Sequence, residues 1–302
     1  MNLLGTYAKL IGVAALWGGT FIAGRIAAPL LPHFTLSALR FWTAFGLLLP
    51  VLFIIEKKLP RLCVRDGLFT LMLALVGLVI YNLLFLGALE LIPASRTALV
   101  VALNPILTSL GMALVFRERL APHRWLGILL ALTGVCVVLA KGNPLQILLG
   151  LGQGEVLMLG GAMCWAIYTI LGRFALQNGS SLSPLSITTF TTLWGALMLS
   201  IGIPFEWDQW QIAQWEAAGL RLQVIGAILY LGAGGTALAF VWYAQGLKRL
   251  GAARTAVFNN LVPVFGVLLG ALLLSEPLLP SMILGGLVAL LGVSLTNWNE
   301  KK

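Results

Sequence analysis

The stretch 253-ARTAVFNNLVPVFGVLL-269 sets two asparagines and a proline inside an otherwise apolar helix, and 95-SRTALVVALNPILTSLG-111 is built the same way. Shifted by 158 positions, residues 88–139 align with 246–297 without a gap, and 20 of the 52 positions are identical. The identities include Arg96/Arg254, Thr97/Thr255, Pro105/Pro263, Glu118/Glu276, Pro122/Pro280, Gly127/Gly285 and Gly134/Gly292. Apolar low complexity inflates matches of Leu and Ala, but not of Arg, Pro and Glu in fixed register. A second echo pairs 17-WGGTFIAGR-25 with 165-WAIYTILGR-173 at a shift of 148, and 36-LSALRFWTAFG-46 resembles 185-LSITTFTTLWG-195. The offset changes across the loop holding Trp207, Trp210 and Trp215, read here as a short interfacial helix. The chain therefore reads as two copies of one unit, residues 1–141 and 153–297.

Composition fixes the medium. Of 302 residues 60% are hydrophobic and 10% charged, against about 25% charged in soluble domains. Apolar runs long enough to cross a bilayer recur along the chain, and ten spans are expected near 7–28, 34–55, 67–89, 94–116, 122–141, 153–175, 183–204, 221–246, 253–274 and 279–297. The first run is not expected to be a cleavable signal, because it carries Arg25 at its far end and lacks a small-x-small cleavage site. The expected fold is an all-α polytopic membrane protein.

Basic residues cluster in connectors. With both termini in the cytoplasm, 14 of the 19 Lys and Arg fall inside, and only Arg25, Arg40, Arg96, Lys141 and Arg221 outside. A five-span unit is odd, so its second copy enters from the opposite side. The basic 116-FRERLAPHR-124 matches 274-LSEPLLPSM-282, which has no basic residue, as inversion requires.

The two units, each with a "W…GR" first helix and an "RTA…P…E" fourth helix, resemble the EamA family of the drug/metabolite transporter superfamily. The resemblance covers nearly the whole chain. It implies ten helices around a central cavity, lined mainly by the first, third, fourth, sixth, eighth and ninth. It also implies a multi-pass transporter of the bacterial inner membrane, with exporters of amino acids and related metabolites among its relatives.

Three kinds of residue stand out at mid-depth. Trp17, Trp165 and Tyr168 lie near the centres of the first and sixth spans, whereas membrane tryptophans favour the interfaces. Tyr81 and Asn82 lie in the third span and Tyr243 in the eighth. Asn104, Asn259 and Asn260 place amides where each must face protein or water. Pro105 and Pro263 free the carbonyls of Val101 and Asn259 and should kink both helices. The expected substrate-binding set is Trp17, Tyr81, Asn82, Asn104, Trp165, Tyr168, Tyr243 and Asn259, with Pro105 and Pro263 as gating kinks. Packing filler and interhelical hydrogen bonding are the competing readings of each.

Charges exclude other chemistries. No charged residue falls near the centre of a span, and Arg40 is expected near an interface. Glu118 and Glu276 are expected as caps or loop pairs. Neither an embedded carboxylate for proton coupling nor basic groups for a phosphorylated cargo are evident. Cys63, Cys136 and Cys164 show no pairing or metal-ligand spacing, and 150-GLGQG-154 lacks the strand–helix setting of a dinucleotide site. No catalytic set, metal, cofactor or nucleic-acid partner is expected. The partners are a small molecule and the lipid bilayer. A monomer suffices, and Gly266–Gly270 leaves a dimer seam open. The reading is alternating-access export of small neutral or zwitterionic metabolites such as amino acids. A multidrug exporter and a non-transporting receptor or scaffold are the alternatives.

Overall fold

The computed structural model describes residues 3–57, 60, 62–116, 121–139, 152–177, 182–209, 220–250, 255 and 257–296. Arg254, Glu118, Trp210 and Trp215 lie outside the described residues, as does the side chain of Trp207.

Ten rods follow one another. They are α1 (Leu3–Ala27), α2 (His33–Glu56), α3 (Val64–Leu91), α4 (Ala94–Val101 and Asn104–Phe116) and α5 (Pro122–Leu139). The second half supplies α6 (Gln153–Gln177), α7 (Pro184–Gly202), α8 (Leu220–Leu229, Tyr230–Leu238 and Ala239–Leu250), α9 (Val257–Leu261 and Val262–Leu274) and α10 (Pro280–Thr296). Seven rods are long and apolar enough to cross a membrane, and α5, α9 and α10 are shorter apolar helices.

Polarity runs inside out. Leu4, Ile54, Leu114 and Leu272 are each more than 75% exposed, while Thr35, Ser37, Asn82, Thr189 and Thr236 are buried. Hydrocarbon satisfies the first group and only protein the second. The chain is a polytopic all-α membrane protein.

Glutamates hold the rod ends together. α2 and α4 each begin after a proline, Pro32 and Pro93, and neither N-cap residue makes a side-chain capping bond. Glu206, just beyond α7, accepts from Phe34 N (2.8 Å) and Thr35 N (3.1 Å) at the start of α2. Glu276, just beyond α9, accepts from Ala94 N (2.7 Å) and Ser95 N (2.9 Å) at the start of α4. Carboxylates suit these sites because the first N–H groups of a helix lack internal partners and carry partial positive charge. The reciprocal contact joins Glu56, at the end of α2, to Ser186 Oγ (2.9 Å) in α7. Each cap joins rods from different repeats.

The repeats also meet backbone to backbone. Where α5 crosses α10, a Cβ at Gly134 would stand 2.5 Å from the Gly285 carbonyl oxygen, and one at Gly285 would stand 2.5 Å from the Gly134 oxygen. Two turns away, a Cβ at Gly292 would stand 2.6 Å from the Gly127 oxygen. Gly127/Gly285 and Gly134/Gly292 are the repeat-matched pairs, and each glycine meets its mate's partner across the crossing. That reciprocity is a two-fold relation between the halves.

Gly134→Ala should therefore cost roughly 1–3 kcal/mol, since backbone atoms cannot yield as a side chain can. A Cβ at Gly46 meets nothing within 4 Å, so Gly46→Ala should be neutral or stabilising by up to about 1 kcal/mol. Melting temperatures in detergent separate the two.

Candidate functional site

Two rods carry a widened turn at corresponding places. Leu75–Ile80 in α3 and Tyr230–Leu238 in α8 are π-helical, and the shift of 158 places the first within the second. A π turn leaves the regular i to i−4 ladder locally incomplete. In hydrocarbon the affected carbonyls need other donors. Trp17 Nε1 on α1 donates to Gly235 O (3.1 Å), Thr236 Oγ1 to Leu231 O (2.8 Å) and Asn82 Nδ2 to Leu78 O (2.8 Å). The backbone irregularity thus draws polar side chains to the centre of the bundle.

Around those turns the aromatic residues converge. The Trp17 ring centroid lies 5.2 Å from Tyr243, 5.8 Å from Phe240 and 6.5 Å from Trp165. Trp165 lies 5.3 Å from both Tyr81 and Tyr168. Tyr81 stacks on Phe85 at 5.7 Å, and Phe85 meets Phe21 at 5.4 Å. One continuous aromatic group therefore joins α1, α3, α6 and α8. Trp17, Tyr81, Trp165, Tyr168 and Tyr243 are all half-buried. Such a surface can hold an apolar or aromatic body by offset and edge contacts.

The structure divides the amides expected at the site. Asn259 reaches the group through its Nδ2, 3.5 Å from Tyr243 Oη. Asn82 sits behind it, 2% exposed, its oxygen accepting from Arg40 Nη1 (2.8 Å) while its nitrogen serves Leu78. Both ends of that amide are committed within the protein. Asn104 joins the group through no hydrogen bond among the described residues. Its Oδ1 is buried without a partner, as is that of Asn260.

Pro105 and Pro263 mark real discontinuities. α4 breaks at Ala102–Leu103 just before Asn104, and α9 changes from a 3-10 turn to α-helix at Val262.

Arg40 departs from the sequence expectation. Its distance from the start of α2 suggests an interfacial residue, yet it is 9% exposed, with Nε 3.2 Å from Thr236 Oγ1. The polar turns of α3 and α8 offer acceptors within the bundle, so the side chain turns inward. The expectation that no basic group reaches the interior is corrected accordingly. The π turns, Phe85, Phe240 and Thr236 were likewise missed. A usable signal existed in Gly77 and Gly235, which match at the shift of 158.

Comparison with known proteins agrees with this architecture. A solved crystal structure that is 20% identical shares the fold, with a TM-score of 0.67 over 98% of each chain. The profile of the EamA-like transporter family matches residues 5–140 and 152–298. The chain belongs to the EamA-like transporter family. The uncharacterized transporter YyaM of Bacillus subtilis (strain 168) is 28% identical over 97% of this chain and 93% of its own length. An uncharacterized transporter of Archaeoglobus fulgidus is 29% identical, over 92% and 93%. The uncharacterized inner membrane transporter YedA of Escherichia coli (strain K12) is 27% identical, over 92% and 85%.

The two halves of this EamA transporter share a frame and differ in filling. Gly77 in the first π turn makes room for the Tyr168 ring, whose Cγ would lie 2.6 Å from an added Cβ. Its repeat mate Gly235 makes room for Thr20, the residue matching Tyr168 at the shift of 148. Gly77→Ala should destabilise the protein by about 1–3 kcal/mol through overpacking. Adding Tyr168→Thr, the pairing of the other repeat, should recover part of that loss, as a double-mutant cycle in thermal stability would show.

Proposed function

We propose that this membrane transporter exports amino acids or similar small neutral or zwitterionic metabolites by alternating access. The export reading places it in a bacterial inner membrane with both termini cytoplasmic. The observation that carries the reading is the aromatic group at mid-length, built by helices of both repeats around two matched π turns. A site shared between two related halves changes access when the halves rock.

The ends of α4 and α9 support the direction. At the face opposite the termini, Ala94–Val101 lies along Val262–Leu274, with Gly266 against Ala98 and Gly270 against Ser95. Glu276 caps α4 there, and Arg96 pairs with Glu155 at 2.8 Å. Tight packing of α4 on α9 at the face opposite the termini is what a state that loads from the cytoplasm would have.

In proteoliposomes, L-phenylalanine counterflow should fall roughly tenfold in Trp165→Ala, the loss expected for about 1.5 kcal/mol of ring contact. It should also fall in Asn259→Ala. Trp125→Ala, exposed on α5, should leave it unchanged. Equal counterflow in all three variants would refute the site.

A further inference from the structure

Arg40 is a costly group to hold within the bundle. It lies two turns into α2, about 10 Å along the helix from its start, and is 9% exposed. Its protein partners are all neutral: Thr236 Oγ1 takes Nε (3.2 Å), Asn82 Oδ1 takes Nη1 (2.8 Å), and the Phe41 ring lies 5.2 Å from Cζ. Among the described residues no carboxylate pairs with this guanidinium, unlike Arg96, which pairs with Glu155. A guanidinium has five N–H donors. Two are used, leaving the Nη2 pair and one on Nη1.

A staple between neutral acceptors does not explain the charge. An uncompensated buried cation costs several kcal/mol, whereas a neutral amide could bridge a hydroxyl and an amide oxygen. The repeat-related position supports this point. It is Thr189, also buried, which satisfies its hydroxyl on Leu185 O in its own helix (2.9 Å). The scaffold therefore tolerates an uncharged residue at this place in one half and carries a cation in the other.

Position links the cation to the aromatic group. Asn82 follows Tyr81, whose ring faces Trp165, and Thr236 follows Gly235, whose carbonyl takes the Trp17 indole. Both acceptors that aim Arg40 are chain neighbours of residues framing the two central tryptophans. We infer that Arg40 is the receptor for a single carboxylate on the transported molecule, whose apolar body lies against the rings. This rests on the transport reading above and names the charge the substrate must carry. A planar carboxylate matches the remaining N–H fork. One negative charge balances the site, whereas a phosphate with about two would find no second cation in contact with Arg40 among the described residues.

The test uses purified full-length protein and three probes in equilibrium binding: L-phenylalanine, 3-phenylpropionate and L-phenylalaninamide. The wild type should bind the two carboxylates and take the amide roughly tenfold or more weakly, the scale of a lost charge-assisted hydrogen bond. Asn82→Asp is the decisive variant, because it supplies an internal counter-charge to Arg40 while giving up the Leu78 hydrogen bond, and its melting temperature reports whether it stays folded. It should lose carboxylate binding by about tenfold or more while binding the amide at least as well as the wild type. Arg40→Gln should lose the same preference, and Arg40→Lys should keep part of it. Undiminished L-phenylalanine binding by Asn82→Asp, or equal binding of acid and amide by the wild type, overturns the Arg40 assignment alone. Failure of the wild type to bind any of the three probes overturns the substrate class itself.

Discussion

A carbonyl in hydrocarbon has no water to turn to, and this constraint organises the centre of the protein. Wherever the helical ladder loosens, a side chain must supply what the backbone lost. The π turns of α3 and α8 recruit Asn82, Thr236 and the Trp17 indole. Those recruits in turn fix the neighbouring rings and the buried arginine. The polar interior is therefore a consequence of broken regularity as much as of composition. The same logic governs the helix ends, where Glu206 and Glu276 satisfy amides that α2 and α4 leave open.

Much of this was legible in the chain. Ten apolar runs and a gapless match of Arg, Pro, Gly and Glu residues specify a duplicated polytopic bundle, because few other arrangements tolerate those residues in register. The central aromatics were visible too, since Trp17 and Trp165 occupy depths where interfacial anchoring offers no reason for them. Arg40 was not. Distance along a helix does not say whether a long side chain bends toward the lipid surface or toward protein acceptors. Those acceptors lie 42 and 196 residues away in sequence. The π turns were equally hidden, because an extra residue in a turn leaves hydrophobic periodicity almost unchanged over so short a segment.

Duplication supplies the frame, and departures from it supply discrimination. Gly77 and Gly235 open matching gaps, yet one admits a tyrosine and the other a threonine. Arg40 and Thr189 occupy matching turns, yet one is charged. A perfectly two-fold site would present the same chemistry to both ends of a small molecule. These substitutions make the two halves chemically unequal around one frame.

The glycine crossing of α5 and α10 has a mechanical consequence. With backbone set directly against backbone at its glycines, that seam has little to compress or rearrange and is suited to act as a stiff axle. Under the alternating-access proposal, rocking of the halves would leave this seam intact and fall on rods that already contain a break. α4 contains such a break at Ala102–Leu103 and α9 at Leu261–Val262. Asn259 and Asn260 of the opening stretch sit at the joint of α9, where that motion would bend the rod.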